Sequence, residues 1–168
     1  MSKEVSYSEY ADKTVEILSK GAFLTTAYAG KVNTMTIGWG TLGIIWGKPV
    51  FLALVRHSRF TYELIEKSNE FTVSVPLTDD LKSALTLCGT KSGRDMDKLA
   101  AAGLTAAPGS KLATPVIAGC GLHYECKIVY KQAMDPTMLD AMIKEKAYAT
   151  GDYHTLYFGE ILTTYLDD

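Results

Sequence analysis

Apolar and small polar residues alternate through "KVNTMTIGWGTLG", residues 31–43, with Met35, Ile37 and Trp39 in one phase and Thr34, Thr36, Gly38 and Gly40 in the other. A strand turns successive side chains to opposite faces, so the segment predicts a strand with one apolar face and one almost bare face. Glycine weakens a strand and is found where a bend or a close approach needs it. The bare face therefore leaves room for something flat, with the large residues packed behind. The preceding "AFLTTAY" reads as a second strand, and the turn at Ala29-Gly30-Lys31 predicts a hairpin.

The continuous apolar run "PVFLALV" predicts a strand buried on both faces. "EFTVSVP", "GLHYECKIVYK" and "YHTLYFGEILTTYL" alternate, the second with Leu122, Tyr124, Cys126, Ile128 and Tyr130 inward. Helical spacing marks "YSEYADKTVEILSKG", stopped at Gly21, and "SRFTYELIEKSN", capped by Ser58 or Thr61. It recurs in "TDDLKSALTLCG", which opens with cap residues and ends at Gly89, and in "SGRDMDKLAAAGL", capped by Asp95 and stopped at Gly103. A last short helix follows Asp135-Pro136 in "DPTMLDAMIKEK". About six strands without regular strand-helix alternation argue for a mainly β, mostly antiparallel barrel with peripheral helices rather than a doubly wound sheet.

At 168 residues, 47% hydrophobic and 21% charged, the chain has the size and balance of one domain spanning residues 1–168. A net charge of -2 gives no electrostatic reason to expect nucleic acid or an anionic membrane as partner. Cys88, Cys120 and Cys126 form no CxxC pair and cannot all pair within one chain, which fits a reducing cytoplasm. No charged leader precedes an apolar run and no apolar segment reaches about 18 residues, so the expectation is a soluble intracellular protein.

Chemistry concentrates in two stretches. In "VRHSRFTYELI" a strand delivers Arg56, His57, Ser58 and Arg59 to a helix start near Thr61. Hydroxyls, backbone N–H groups and guanidinium forks together suit a phosphate, although an ordinary capped helix with solvated arginines has the same pattern. In "CGTKSGRDMDK", Cys88, Gly89, Ser92 and Gly93 lie between two helices, where backbone amides form either an anion-binding concavity or a plain polar connection. The spacing is neither GxxxxGK[ST] nor GxGxxG, and no GxSxG nucleophile elbow occurs. His57, His123 and His154 are scattered away from any metal-ligand spacing, which disfavours zinc. His154 precedes an aromatic strand, as a proton donor, a pocket wall or a simple polar strand start.

Six stretches in order, "GKVNTMTIGWG", "KPVFLALVRHSRFTYELI", "NEFTVSVP", "CGTKSGRDMDK", "YECKIV" and "HTLYFGEI", together resemble the flavin reductase-like family of FMN-binding split barrels, which includes flavoredoxin and related ferric reductases. The resemblance runs from Gly21 to Tyr165. It implies a six-stranded antiparallel split β-barrel that forms a homodimer, with FMN near the subunit interface. Carried over by position, Asn33, Thr34, Met35, Thr36, Gly38 and Trp39 would present backbone and the Thr36 side chain to the flavin ring. Arg56, Ser58, Arg59 and Thr61 would hold the phosphate, Ser92 and Gly93 would close over the cofactor, His57, Cys88 and Gly89 are further cofactor-binding candidates beside them, and His154 is a candidate flavin contact. No metal and no catalytic acid or base is implied.

The resemblance leaves three functions open. One is an oxidoreductase taking electrons from NADH or NADPH through FMN to free flavin, a ferric complex or another small acceptor. The second is a flavoredoxin-like electron-transfer protein reduced by a redox protein partner, without nicotinamide turnover. The third is a split barrel without flavin, serving as an interaction or small-ligand module. The phosphate loop, with its two arginines, serine and threonine, speaks against the third.

Overall fold

A computed structural model describes residues 2–167. The chain runs β1 (Lys3–Val5), α1 (Ala11–Leu18), β2 (Ala22–Tyr28), β3 (Lys31–Ile37), β4 (Gly40–Ile45) and β5 (Lys48–Arg56). It continues through α2 (Phe60–Ser68), β6 (Glu70–Pro76), α3 (Lys82–Thr90) and α4 (Lys98–Ala102) to the short pair β7 (Ala106–Ala107) and β8 (Val116–Ile117). It closes with β9 (Gly121–Ala133), a 3₁₀ turn at Pro136–Met138, α5 (Ala141–Ala147) and β10 (His154–Leu166).

The main sheet has eight strands in the order β3-β2-β6-β9-β10-β5-β4, with β1 added on β10. Every pairing in it is antiparallel. The sheet is open and mainly β, a split barrel with helices at its periphery. The six strands read from the sequence are β2, β3, β5, β6, β9 and β10; β1 and β4 bring the count to eight. β1 has three residues, too few to show a period, and β4 was hidden in the run taken as one strand with β3. That run breaks at Gly38-Trp39, because β3 must leave β2 and the chain re-enter beside β5. A Cβ on Gly40 would lie 2.9 Å from the Leu52 carbonyl oxygen, so this re-entry needs glycine.

The β2–β3 turn holds Ala29 at φ +49° and Gly30 at φ +78°, the left-handed pair of a two-residue hairpin turn, and it sets the register Tyr28↔Lys31. Inward residues Leu24, Met35, Ile37, Phe51, Val55, Phe71, Val73, Tyr124 and Tyr157 form one core. Phe23, Ala84, Cys88, Ile117 and Cys120 form a second beneath α3. Each large apolar side chain so buried contributes about 1.5–3 kcal/mol.

Several local readings change. β5 is not buried on both faces: Val50, Phe51, Ala53 and Val55 are buried, while Leu52 and Leu54 are half-exposed. β6 is buried from Phe71 to Pro76 rather than alternating, because β2 and β9 flank it and the 114–117 segment covers its polar side, where Thr72 Oγ1 donates to Pro115 O at 2.7 Å. In β9 the inward phase holds through Cys126 but fails at Tyr130, which is 44% exposed. A register shift between Phe158 and Gly159 leaves Val129 as an extra residue and turns the strand over.

Helix caps also differ. α2 and α3 have no side-chain cap; Ser58 and Thr61 are engaged elsewhere, as described below. α4 is capped by Asp97, not Asp95. The segment after Asp135 divides into the 3₁₀ turn and α5, each started by its own aspartate, Asp135 and Asp140. Among the described residues no helix is long and apolar enough to cross a membrane.

Candidate functional site

Where β3 gives way to β4, the chain from Met35 to Trp39 forms one wall of a cleft of about 190 Å³, closed by Leu54, Arg56, Arg59 and His154. β5 carries Leu54 and Arg56 into it, and antiparallel pairing sets His154 of β10 opposite Arg56. Among the described residues no carboxylate lines the cleft, so its two guanidinium groups give it positive charge.

Arg56 binds the backbone on its own side: its Nη1 donates to Asp152 O at 2.5 Å and its Nη2 to Ala147 O, the end of α5, at 3.1 Å. Its guanidinium lies 5.0 Å from the Tyr148 ring and 5.8 Å from the Trp39 ring. Trp39 is 49% exposed at the cleft mouth, its ring 5.4 Å from that of His154, and is therefore not packed behind the strand as the alternation suggested. His154 is buried, with Nδ1 2.7 Å from the Tyr148 hydroxyl. Burial first, then the Arg56 charge, pulls the imidazole down to about 4, so it is neutral near pH 7. A Tyr148 hydroxyl that donates to Nδ1 leaves the ring hydrogen on Nε2.

Arg59 reaches the cleft from the start of α2. Its Nη1 donates to Gly89 O at 2.8 Å and its Nη2 to Cys88 O at 2.9 Å, holding the last carbonyls of α3. The small face of β3 is not bare at this end. Thr34 is buried and accepts from Thr25 Oγ1 at 3.0 Å, and Thr36 Oγ1 donates to Leu85 O of α3 at 2.6 Å. The small residues admit the helix, and the stretch from Met35 to Trp39 lines the cleft.

Of the residues singled out from the sequence, Met35, Thr36, Gly38, Trp39, Arg56, Arg59 and His154 meet at the cleft. Others do not line it. Ser58 is held by Asp152, whose carboxylate accepts its N–H at 3.2 Å and its hydroxyl at 2.5 Å. His57 Nε2 pairs with Thr155 Oγ1 at 2.9 Å. Buried Thr61 accepts from Asn33 Nδ2 at 2.8 Å. Asn33 and Gly93 border a second hollow, about 570 Å³, with Phe60, Arg94 and Lys98. There a Cβ on Gly93 would overlap Asn33 Oδ1, so the 89–93 connection lies directly on β3. Cys88 is wholly buried, and its carbonyl rather than its sulfur meets Arg59. Gly89 borders a larger hollow, about 780 Å³, between α1 and α3, and Ser92 Oγ accepts from Arg94 N at 3.2 Å.

Sequence reasoning missed Leu54, Tyr148, Asp152 and Lys98. Leu54 was hidden in an apolar run taken as core, and Lys98 has the look of any surface lysine. The Gly151-Asp152 turn just before His154 was the one visible signal.

The model of the flavin reductase like domain matches residues 17–168. An uncharacterized protein of Archaeoglobus fulgidus is 31% identical over 140 residues, covering 83% of this chain and 68% of that protein. Among solved structures, an FMN-binding domain of a flavin reductases-like enzyme from Shewanella baltica has the same fold, with a TM-score of 0.71 at 19% identity over 99% of this chain and 78% of its own. Flavoredoxin of Desulfovibrio vulgaris superposes with a TM-score of 0.69 at 22% identity over 88% and 69%. The family match covers nearly the whole described fold, cleft included, and the chain belongs to the flavin reductase like domain family.

Proposed function

We propose that the cleft holds FMN and that the protein is an NAD(P)H-dependent oxidoreductase that passes electrons to a small acceptor. The observation that carries this reading is a crevice walled by strand backbone and the Trp39 ring, with two guanidinium groups and, among the described residues, no carboxylate in its lining. That donor set fits a planar ring with an anionic tail. A bound flavin supplies the redox chemistry, accepting a hydride and passing electrons onward. The chain's own residues position and shield it. Thr36 to Trp39 present backbone to the ring, neutral His154 and Trp39 wall one end, and Arg59 faces the phosphate. His154, uncharged near pH 7, adds no second positive charge beside Arg56.

At about 190 Å³ the cleft is smaller than the roughly 300–1,000 Å³ of pockets that enclose a whole ligand. A second copy of the chain completes the site in this reading. The exposed apolar side chains of Ile44, Trp46, Met142 and Ile143 supply surface for such a homodimer.

The flavoredoxin-like reading has its own support. An apolar trough of about 570 Å³, lined by Met134, Leu139, Met142 and Ile143, adjoins the cleft through Trp39 and Leu54 and suits a protein partner. Anaerobic mixing of the FMN-loaded protein with NADH or NADPH separates the two. Loss of the visible flavin absorbance at a catalytically useful rate is the expected result. A flavin that stays oxidised until a redox protein is added assigns the carrier role, and protein that takes up no FMN overturns both readings.

A further inference from the structure

The cleft shares wall residues with two further spaces. The apolar trough along α5 meets it at Trp39 and Leu54, and among the described residues Lys146 is the trough's one charged lining residue. The hollow of about 780 Å³ between α1 and α3 meets the cleft at Thr36. Its floor is apolar, from buried Ile17 and half-buried Leu77 and Leu85, and exposed Lys13, Lys20 and Lys82 stand on its rim.

Thr36 is the partition between hollow and cleft. A Cβ on Gly21 would lie 3.0 Å from its Cγ2, and one on Gly89 would lie 3.4 Å from its Cβ. Glycine on either side lets the Thr36 side chain close the hollow while the strand it belongs to walls the cleft, so the two spaces are one residue apart. The rim lysines are loosely held. Lys13 lies 3.5 Å from Glu16 and Lys82 lies 2.9 Å from Asp79, in exposed pairs that water and salt weaken. Among the described residues Lys20 belongs to no ion pair. Three lysines against these two acids leave the rim with one positive charge in excess.

We propose that this hollow seats the phosphate-bearing part of the nicotinamide donor, and that its lysine rim makes the protein prefer NADPH to NADH. This rests on the NAD(P)H-dependent reading above and adds to it the place of the donor. A donor ring must lie against the flavin to react, so the rest of the molecule occupies a space that adjoins the cleft. The trough offers apolar side chains and a single ammonium, a poor match for three phosphate groups. The hollow offers an apolar floor for a flat base and three ammonium groups for the phosphates, and its volume lies within the roughly 300–1,000 Å³ of small-molecule sites. The 2′-phosphate that NADPH alone carries brings about two further negative charges, and Lys20 is the cation without a partner to meet them.

The test is titration calorimetry of the FMN-loaded protein with NADP⁺ and NAD⁺, the oxidised forms, which bind without turnover. Wild-type protein is expected to bind NADP⁺ at least about tenfold more tightly than NAD⁺. Lys20→Gln removes the unpaired ammonium and should weaken NADP⁺ about tenfold while NAD⁺ changes less than about twofold. Thr86→Glu sets a carboxylate at an exposed position on the α3 wall of the hollow and should also weaken NADP⁺ about tenfold. Neither residue lines the cleft, so FMN affinity, read from flavin fluorescence, should stay within about twofold in both variants. An NADP⁺ affinity that either substitution leaves within about twofold overturns the proposal, as does wild-type protein that binds NAD⁺ as tightly as NADP⁺. Failure of the underlying reading looks different: wild-type protein that holds FMN but whose flavin neither NADPH nor NADH reduces without air removes the nicotinamide donor itself, before any variant is made.

Discussion

Buried charge is handled in opposite ways in two parts of this fold. In β9, Glu125 is wholly buried, and its carboxylate accepts backbone N–H groups from Ser110, Lys111 and Leu112 at 2.5, 2.7 and 2.8 Å. Nearby, buried His123 has Nδ1 3.0 Å from Ser74 Oγ and Nε2 2.9 Å from Asp167 Oδ2, while Ile117 N donates to Ser74 Oγ at 3.0 Å. The order serine, histidine, carboxylate is that of a hydrolase relay, but Ser74 and His123 are sealed inside and fasten the 110–119 segment instead. At the end of α3, by contrast, Arg59 and Lys98 converge on the Cys88 carbonyl oxygen, and among the described residues neither belongs to an ion pair. Where the fold supplies its own counter-charges, ionisable groups build structure; on the reading proposed above, Arg59 on the wall of the cleft is instead set up for an anion.

The sharpest way to break this comparison is Glu125→Leu. It leaves three N–H groups without their acceptor in a buried seam, and the expected loss is about 3–5 kcal/mol of unfolding free energy, read from urea denaturation. FMN affinity measured below the unfolding transition should stay within about twofold, since Glu125 does not line the cleft. A small stability loss would mean that the seam does not depend on this charge.

Acidification probes both regions in the same direction. Burial lowers His123, although its contact with Asp167 opposes this, and burial followed by the Arg56 charge lowers His154 to about 4. An unfolded histidine titrates near 6.5. Below that value unfolding takes up protons that the fold excludes, so stability falls as pH drops from about 6.5 towards 4. For His154 the full effect is about 3 kcal/mol. Asp167 adds to the trend. Burial raises its carboxyl, but His123 and the N–H groups of Gly119 and Gly121 more than offset this, and the depressed group loses its stabilising contribution as acid protonates it. Urea midpoints at a series of pH values test this, and a His154→Phe protein should show a shallower decline.

The hairpin, β9 and β10 were legible because a period of two is imposed by burial and survives in any register, β6 because its residues alternate in type even where both faces are covered, and β5 because its apolar run is too short for a helix. The break at Gly38-Trp39 was not. A strand that leaves one neighbour and re-enters beside another keeps its alternation in sequence while changing partner in space. The bulge opposite Gly159 hid in the same way, since one inserted residue reverses the face of Tyr130 without altering composition. In the site, Arg56, Arg59, Thr36 and His154 could be named because their types match an anion or a ring. The assignment of Ser58 and Thr61 to that anion missed Asp152 and Asn33, whose side chains reach them from distant segments. No local pattern encodes such a long-range hydrogen bond. Lys98 was missed for the complementary reason: its burial depends on α3, α4 and β3 packing together.

Arg59→Ala sharpens the comparison by separating binding from stability within one residue. The substitution removes a donor from Gly89 O, while Cys88 O keeps Lys98. It also relieves the repulsion that helps depress the Lys98 ammonium, so the two effects on folding oppose each other and the net loss should be about 1 kcal/mol or less. On the proposed reading FMN binding has no such compensation, because a charge-assisted contact to phosphate would be lost outright, and affinity should fall by about 1.5–3 kcal/mol. Denaturation and fluorescence titration on the same preparation read both quantities. Glu125 and Arg59 then fall on opposite sides, one costing stability and sparing the ligand, the other sparing the fold and costing affinity. An Arg59→Ala protein that binds FMN as tightly as before would place the phosphate away from the end of α3 and return Arg59 to the role Glu125 has, a charge that serves only the fold.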